Sequence, residues 1–454
     1  MLSRFRSIVG DDGLLDDSAD LLSYSYDNSR ISTIPEAALL PSTHNQVVEI
    51  VRVCREHHIP ITPRGRGSGT SGAAVPEDHG IVLSTERMRS IIRVDTDNRL
   101  MIVQPGVTNQ EVQQEASRHG FFWAPDPSSS SFCSVGGNIA CGSAGPRAVK
   151  YGTVRENILG LRAVTGDGKE IKTGTETTKW AVGYDLTRLI VGSEGTLAIV
   201  TEATLKLLPK QQKSSLMRAL YRDMQSAADA VAAIMAQPFT PSALEFMDSN
   251  SLGLIRSQLG SDFPAEAGAM LMIEADGSIE SVKEAAEALQ ASATNSGMVD
   301  FYLASTEAEV KQLWKARKIL SPRLREVSPK KINEDIVVPV SSIPELIASI
   351  DSLSTKHQIM IANFGHAGNG NLHTNLLINP DDSAEMARAE ECLDEIFQTV
   401  LELNGSISGE HGVGLIKQKF VSREIPDTER RLMSEIKLLF DPDSILNPGK
   451  GPQQ

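Results

Sequence analysis

One ten-residue stretch, Pro63 to Gly72, limits the fold more than any other part of the sequence: it holds four glycines and two arginines, and its last six residues match G-x-G-x-x-G. That pattern binds a dinucleotide in a Rossmann fold only when it opens a helix. Here Pro76 follows closely, and the next apolar run, Gly80 to Ser84, has the character of a strand. The sequence therefore excludes a Rossmann site. It predicts a loop whose backbone amides and hydroxyls face an anion, with a plain surface turn as the alternative.

Two further segments are rich in glycine. The first, Asp126–Asn138, is dense in serine, and the apolar residues within it indicate a packed loop rather than a linker. The second, Gly192–Gly195, leads into an apolar strand. Because glycine-rich loops expose backbone amides to phosphate groups, three of them on one region predict a nucleotide cofactor.

Composition removes several classes of protein. The longest unbroken apolar run, Ala230 to Ala236, is far shorter than the ~18 residues that a membrane-spanning helix needs. The net charge of −14 and the scattered basic residues argue against binding to nucleic acid or to an anionic bilayer. The four cysteines form no C-x-x-C pair, which excludes a disulfide framework and an iron–sulfur site. We expect a cytoplasmic protein that acts on a small molecule.

Periodicity divides the 454 residues into three parts. In residues 1–210, with a core from about 35, short strands alternate with helices and with two predicted hairpins, Ile91–Val103 and Leu161–Ile171. Apolar positions from Val47 to Cys54 predict a helix capped near Ser42 or Thr43. Residues 211–404 combine long helices, one of them predicted over Glu307–Val327, with short strands, which indicates an α+β domain with helices on one face of a sheet. Residues 405–454 return to glycine-rich sequence.

Three histidines close together indicate the chemistry. His366 and His373 flank a glycine-rich turn between two predicted strands, which can bring their imidazoles face to face, and His411 follows Glu410 between glycines. Two imidazoles and one carboxylate suit Zn²⁺, Mn²⁺, Fe²⁺ or Co²⁺ and leave positions open for a substrate. His373 and Asn375 share one face of a strand. The alternative is a pair of hairpin histidines bonded to backbone.

Four motifs in order carry a family resemblance: Pro63–Gly72, Pro127–Asn138, Val191–Thr196 and Asp441–Lys450. Together they resemble the FAD flavoproteins of the vanillyl-alcohol-oxidase type, and above all the branch of glycolate oxidase flavin subunits, D-lactate dehydrogenases and D-2-hydroxyglutarate dehydrogenases. The resemblance implies an α+β fold with a two-subdomain FAD-binding domain. It also implies an α+β cap domain with an antiparallel sheet and a C-terminal segment that closes the active site.

The resemblance further implies which residues hold FAD. Ser68 stands where relatives with covalent flavin have a histidine, so we expect non-covalent FAD. The residues that match the cofactor motifs are Arg64, Gly65, Arg66, Gly67, Ser68, Gly69, Thr70, Gly72, Pro127, Ser128, Ser131, Ser134, Gly136, Gly137, Asn138, Cys141, Gly142, Gly145, Tyr151, Gly152, Glu194, Gly195, Ile199 and Asn447.

Catalytic roles follow from the same resemblance. His366, His373 and Glu410 match the metal ligands and His411 the base, so we expect one divalent transition metal (Zn, Mn, Fe or Co), proton removal by His411 and hydride transfer to FAD. By their spacing, Arg317 and Ser321 lie one predicted helical turn apart and could clamp the substrate carboxylate, with a solvated arginine on an exposed helix as the alternative. The resemblance implies that Arg317 binds the substrate, and Asn375 completes the substrate set. Near the position of Asn333, the hydroxyglutarate-oxidising relatives carry a lysine that matches a second carboxylate of the substrate. Asn333 departs from that pattern, which favours a short acid, D-lactate or glycolate.

Two alternatives stay open. One is a D-2-hydroxyglutarate or longer-chain 2-hydroxy acid dehydrogenase, and the other is a non-catalytic FAD subunit that only relays electrons. Because the sequence carries no iron–sulfur or NAD motif, we expect electrons to leave through an iron–sulfur subunit, an electron-transferring flavoprotein, a cytochrome or a quinone. A homodimer is also left open.

Overall fold

The computed structural model describes residues 1–259 and 263–451. Its strands, numbered along the chain, are β1 (Leu14–Leu15), β2 (Ala37–Leu39), β3 (Ile61–Arg64), β4 (Ile81–Ser84), β5 (Ile91–Asp95), β6 (Leu100–Val103), β7 (Phe121–Phe122), β8 (Ile158–Thr165), β9 (Glu170–Gly174), β10 (Ala198–Lys206), β11 (Leu208–Pro209), β12 (Lys213–Tyr221), β13 (Ala243–Met247), β14 (Ala269–Gly277), β15 (Met298–Leu303), β16 (Lys330–Val337), β17 (Met360–His366) and β18 (Asn371–Ile378). Its α-helices are α1 (Leu2–Val9), α2 (Ser18–Leu21), α3 (His44–Glu56), α4 (Asn109–Arg118), α5 (Val135–Cys141), α6 (Ala148–Tyr151), α7 (Leu186–Ile190), α8 (Met224–Ala236), α9 (Ser249–Ile255), α10 (Ile279–Ala293), α11 (Glu307–Lys318), α12 (Leu320–Val327), α13 (Ile343–His357), α14 (Ser383–Glu402), α15 (Val421–Glu424) and α16 (Asp427–Phe440).

These elements form two compact units. The first consists of Met1–Gly145, Gly152–Lys210 and the described part of Glu410–Gln454, and the second of Pro146–Tyr151 and Gln211–Gly409. No helix in the described part of the chain is both long and apolar enough to cross a membrane.

The first unit contains two main sheets. In the order β1-β2-β4-β3, strands β2, β4 and β3 run parallel. Helix α3 begins after Thr43, whose hydroxyl accepts the amide of Gln46, and its apolar face joins the core of this sheet. The second sheet, β5-β6-β10-β8-β9, is antiparallel. Both predicted hairpins, β5–β6 and β8–β9, and the predicted helix cap are therefore confirmed.

The glycine-rich segments of this unit differ from one another. Between Gly72 and β4 the structure has turns and no helix, so the first segment is a loop that opens no helix, as predicted, and its role toward an anion stays a prediction. The second segment ends in helix α5, where a packed loop was expected. Two consecutive glycines disfavour a helix, but the Ser134 hydroxyl caps it by accepting the Gly137 amide, and Val135 and Ile139 are buried in the core.

The second unit is built on one antiparallel sheet, β15-β12-β14-β13-β17-β18-β16, as predicted. The expectation of helices on one face only is wrong. Helices α9, α11 and α12 pack on the face of Leu220, whereas the Tyr221 hydroxyl on the other face donates to the carbonyl of Ala293 in α10 (2.7 Å). Both side chains are fully buried, so helices pack against both faces of the sheet.

The helix predicted over Glu307–Val327 is interrupted. Helix α11 ends at Lys318, and α12 begins two residues later at Leu320. Pro322 accounts for the break, because its ring would clash with the carbonyl of Lys318 in a continuous helix. Arg317 and Ser321 thus belong to different helices.

Candidate active site

One face of the second unit's sheet carries the predicted histidines. Strand pairing places Phe364 opposite His373, and His373 opposite Asp335 on the next strand. Asn375 pairs with Asn333 on the same two strands. Because side chains alternate along a strand, His373 and Asn375 share this face, as predicted.

The structure brings His366 and His373 together. Both are buried, and the turn Ala367–Asn369 joins their strands. Their ring centroids lie 5.2 Å apart at an interplanar angle of 86°. The imidazoles therefore meet edge to face, where a face-to-face pair was expected.

A buried carboxylate stands at the Nδ1 atom of each histidine. His366 Nδ1 lies 2.6 Å from Glu245 Oε1, and His373 Nδ1 lies 3.6 Å from Asp335 Oδ1. Asn371 donates to the same Asp335 oxygen at 2.7 Å and so fixes that carboxylate. A carboxylate hydrogen-bonded to Nδ1, as Glu245 is at His366, orients a metal-binding histidine and leaves Nε2 as the ligand atom. The donor set thus fits a divalent metal.

Arg317 belongs to the same network. Its Nε donates to Glu245 Oε2 at 2.7 Å, and its guanidinium lies over the ring of Phe364, 4.7 Å from the centroid. Burial alone would raise the pKa of Glu245, yet the charges of His366 and Arg317 hold that pKa below its ordinary value. Arg317 uses only Nε in this network. Its Nη1 and Nη2 atoms have no hydrogen bond among the residues that the structure describes.

The other predicted substrate residues are arranged differently from the expected clamp. Ser321 Oγ accepts a hydrogen bond from Lys331 Nζ (2.8 Å). Asn375 Nδ2 donates to the carbonyls of Ala362 and His373, at 3.1 and 3.0 Å. Within the described residues, the Asn375 Oδ1 and Asn333 Nδ2 atoms are buried without a hydrogen-bond partner. The strand pairing therefore leaves an acceptor and a donor for a polar ligand on neighbouring strands.

In the first unit, the side chain of Arg64 packs against the loop that follows β3. The Arg64 guanidinium donates to the carbonyls of Ser23 and Ala74, both at 3.2 Å. At Gly67, where φ is +63°, a Cβ atom would overlap the Arg64 guanidinium, so only glycine fits there. Asn447 Nδ2 ties the end of this loop by donating to the carbonyls of Ala73 (2.9 Å) and Glu194 (2.7 Å).

A cleft in the first unit is lined in part by residues of the predicted cofactor motifs. Among its lining residues are six of the predicted cofactor residues: Arg64, Gly65, Gly136, Gly137, Gly195 and Ile199. Asn138 Nδ2, Arg66 Nε and Asn447 Oδ1 are buried without a hydrogen-bond partner in the described chain. Glycines in the wall let a phosphate group approach the backbone, and a bound ligand would satisfy buried polar atoms of this kind.

Most remaining predicted cofactor residues also lie in the first unit: Ser68, Gly69, Thr70 and Gly72 follow β3; Pro127, Ser128, Ser131, Ser134, Cys141, Gly142 and Gly145 lie in or beside α5; Gly152 follows α6; and Glu194 precedes Gly195. Tyr151 belongs to the second unit, where its hydroxyl donates to both oxygens of Asp276, at 2.9 and 2.8 Å.

Glu410 and His411 lie at the start of the C-terminal part of the first unit. Glu410 Oε2 accepts the amide of Ala144 at 3.1 Å. The segment that follows is bonded back to this unit, because the amides of Leu415 and Ile416 both donate to the carbonyl of Ser71.

Sequence reasoning missed Glu245 and Asp335. Glu245 is the one charged residue in the apolar strand Ala243–Met247 and is fully buried, which is a usable sign of function. Asp335 follows several other polar residues on β16, so nothing in the sequence distinguishes it. Both contact their histidine through strand pairing, which only the fold reveals.

Two family models match the chain. Residues 210–451 match the C-terminal domain of FAD linked oxidases, and residues 35–174 match an FAD binding domain.

Individual proteins are similar over almost the whole length. Glycolate oxidase subunit GlcD of Bacillus subtilis is 38% identical over 98% of this chain and 94% of its own length. D-lactate dehydrogenase of Archaeoglobus fulgidus is 36% identical over 94% of this chain and 95% of its own. Among solved structures, p-cresol methylhydroxylase superposes with a TM-score of 0.82 at 18% identity, covering 100% of this chain and 96% of its own. The fold is therefore that of the vanillyl-alcohol-oxidase flavoproteins.

Proposed function

The chain belongs to the FAD-linked oxidases, and we propose that it oxidises a short D-2-hydroxy acid, D-lactate or glycolate, to the 2-oxo acid. Relatives named glycolate oxidase subunit and D-lactate dehydrogenase support a 2-hydroxy acid as the substrate class. The observation that carries the proposal is the buried pair His366 and His373, each with a carboxylate at Nδ1 and with Arg317 in the same network.

His366 and His373 are the proposed metal ligands in the second unit. A divalent transition metal supplies Lewis-acid chemistry, because it lowers the pKa of a coordinated hydroxyl and accepts a carboxylate oxygen. Glu245 fixes the His366 ring by its hydrogen bond to Nδ1, and the Asp335 carboxylate lies 3.6 Å from His373 Nδ1. Glu410 as the third ligand stays a prediction that rests on its motif, and the kind of metal stays open among Zn, Mn, Fe and Co.

Arg317 is the proposed partner of the substrate carboxylate. Glu245 takes its Nε and thereby fixes the plane of the guanidinium, while Phe364 supports one face of it. The terminal nitrogens then present parallel donors with the spacing that a carboxylate accepts. His411 is the proposed base that removes the hydroxyl proton.

Substrate length is the next question. Asn333, near the place where hydroxyglutarate-oxidising relatives carry a lysine, favours a short acid, but one observation favours the alternative, a D-2-hydroxyglutarate or longer-chain acid. Lys331 lies two residues earlier on the same face of β16 and donates to Ser321. A distal carboxylate would find a cation there.

A substrate panel tests the proposal. We expect anaerobic mixing with D-lactate or glycolate to bleach the flavin absorbance, with L-lactate as the stereochemical control for the D-acid. If D-2-hydroxyglutarate reacts best and Lys331→Met slows that acid alone, the longer substrate is correct. Absence of bleaching with every 2-hydroxy acid would contradict the proposed function.

FAD is expected to be tightly but non-covalently bound. Position 68, where a covalent linkage would need a histidine, carries serine, whose hydroxyl forms no such bond. Acid precipitation should therefore leave the yellow colour in the supernatant. Colour that stays with the precipitated protein would refute this.

The electron acceptor is proposed to be a separate protein or a quinone. The word subunit in the name of the GlcD relatives supports an assembly with other chains. A subunit that only relays electrons is the rival class, and it would need no metal. Metal analysis of the purified protein separates the two.

A further inference from the structure

The segment Glu410–Leu415, which carries the proposed base, has two glycines between its ends, Gly412 and Gly414. Glycine loses more backbone freedom than any other residue when it is ordered, so such a segment needs specific anchors. Its two ends are fixed by Glu410 on the amide of Ala144 and by Leu415 on the carbonyl of Ser71. Its centre is contacted by the carboxylate of Glu194.

Glu194 reaches this centre from the third glycine-rich loop. Its Oε1 and Oε2 atoms both accept the amide of Gly414, at 3.0 and 3.1 Å. A Cβ atom on Gly412, where φ is +79°, would overlap Glu194 Oε1. The carboxylate therefore lies directly against the stretch that follows His411.

The backbone of Glu194 has an unusual conformation. Its φ is +53°, a left-handed conformation that a non-glycine residue rarely adopts. The Glu194 amide donates to the carbonyl of Ala140 (2.8 Å), and its carbonyl accepts from Asn447 (2.7 Å). A glycine would suit this backbone better, so a buried glutamate here indicates that its carboxylate is used.

We propose that Glu194 is a positioning residue, whose carboxylate fixes the segment Glu410–Leu415 and thereby the place of His411. The inference rests on the proposed role of His411. It adds a role to the expectation that Glu194 serves the cofactor, because the carboxylate accepts the amide of Gly414. Burial raises its pKa to about 6, opposed by the amides of Gly414 and Val413, so the group is ionised at pH 8.

The test compares two variants of Glu194 at pH 8. Glu194→Ala removes the anchor, and Glu194→Gln keeps one acceptor oxygen for Gly414. We expect the rate of flavin reduction to fall by about 10²-fold in Glu194→Ala and less in Glu194→Gln, since a small misplacement of a reacting group has such effects. FAD content, metal content and the substrate concentration at half-maximal rate should stay near those of the parent.

Asp248→Asn is the matched control. Asp248 is another buried carboxylate, with its pKa raised by burial to about 6, and it accepts the amides of Ser251 (2.8 Å) and Asn363 (2.6 Å). Its loss should lower the melting temperature but leave the rate of flavin reduction within about 2-fold of the parent, because its bonds hold no residue of the site.

Hydrogen exchange of peptides covering residues 410–416 gives a readout that needs no substrate. We expect faster exchange in Glu194→Ala and Glu194→Gln and no change in Asp248→Asn. If the parent oxidises no 2-hydroxy acid, the proposed function fails while this readout still tests the anchor. Unchanged exchange, faster exchange with an unchanged reduction rate, or loss of FAD without faster exchange would each overturn the positioning role.

Discussion

Removing the metal with a chelator is expected to abolish 2-hydroxy acid oxidation while FAD stays bound. His366 and His373 lie in the second unit, whereas the glycine-rich loops and the cleft lie in the first, so these two proposed metal ligands are not part of the cofactor loops. A bound metal contributes several kcal/mol to such reactions, which corresponds to a loss of roughly 10³-fold or more. Steady-state rates and flavin absorbance, measured before and after chelation, check both parts, and added transition metal should restore activity.

Substitution of the ligands should reproduce this loss. His366→Ala and His373→Ala are expected to lower the metal content of the purified protein and the rate together. His357→Ala is the matched control, because His357 is also a buried histidine of the second unit paired with a carboxylate, Glu395 at 3.1 Å. It should keep both metal and activity. Full activity in protein shown to be free of metal would reject the metal mechanism.

The sequence predicted the local parts of this structure well. The hairpins of the first unit, the cap at Thr43 and the turn between His366 and His373 are specified by residues near one another in the chain. Local patterns suffice because the turn residues and the alternation of apolar side chains act over a few positions. The family resemblance supplied the rest of the architecture.

What sequence reasoning missed depends on distant contacts. Glu245 meets His366 across paired strands, 121 positions apart along the chain. Arg64 matched a cofactor motif, yet its guanidinium lies on the carbonyls of Ser23 and Ala74. Helix α5 forms despite two glycines, because its cap and its buried apolar side chains outweigh their low helix propensity. Pairing register and packing decide such features, and neither is visible in one sequence.

The adjacent residues Glu410 and His411 are expected to respond differently to substitution. Glu410→Ala should lose metal and weaken substrate binding together, because the ligand and the substrate anchor are then removed at once. His411→Ala should keep metal, FAD and substrate affinity, yet lower the rate of flavin reduction by roughly 10²–10⁴, the usual range for loss of a general base. Metal analysis and rapid-mixing measurements of flavin reduction over a range of substrate concentrations separate the two outcomes.

The pH dependence of the residual rate identifies the proton's route. In His411→Ala the rate should rise with pH, since hydroxide from solvent replaces the missing base. The parental enzyme has its own base at the same pH. The ratio of the parental rate to the His411→Ala rate should therefore fall as pH increases. A His411→Ala protein that reduces its flavin at the parental rate would show that the proton leaves by another route and that His411 has a packing role alone.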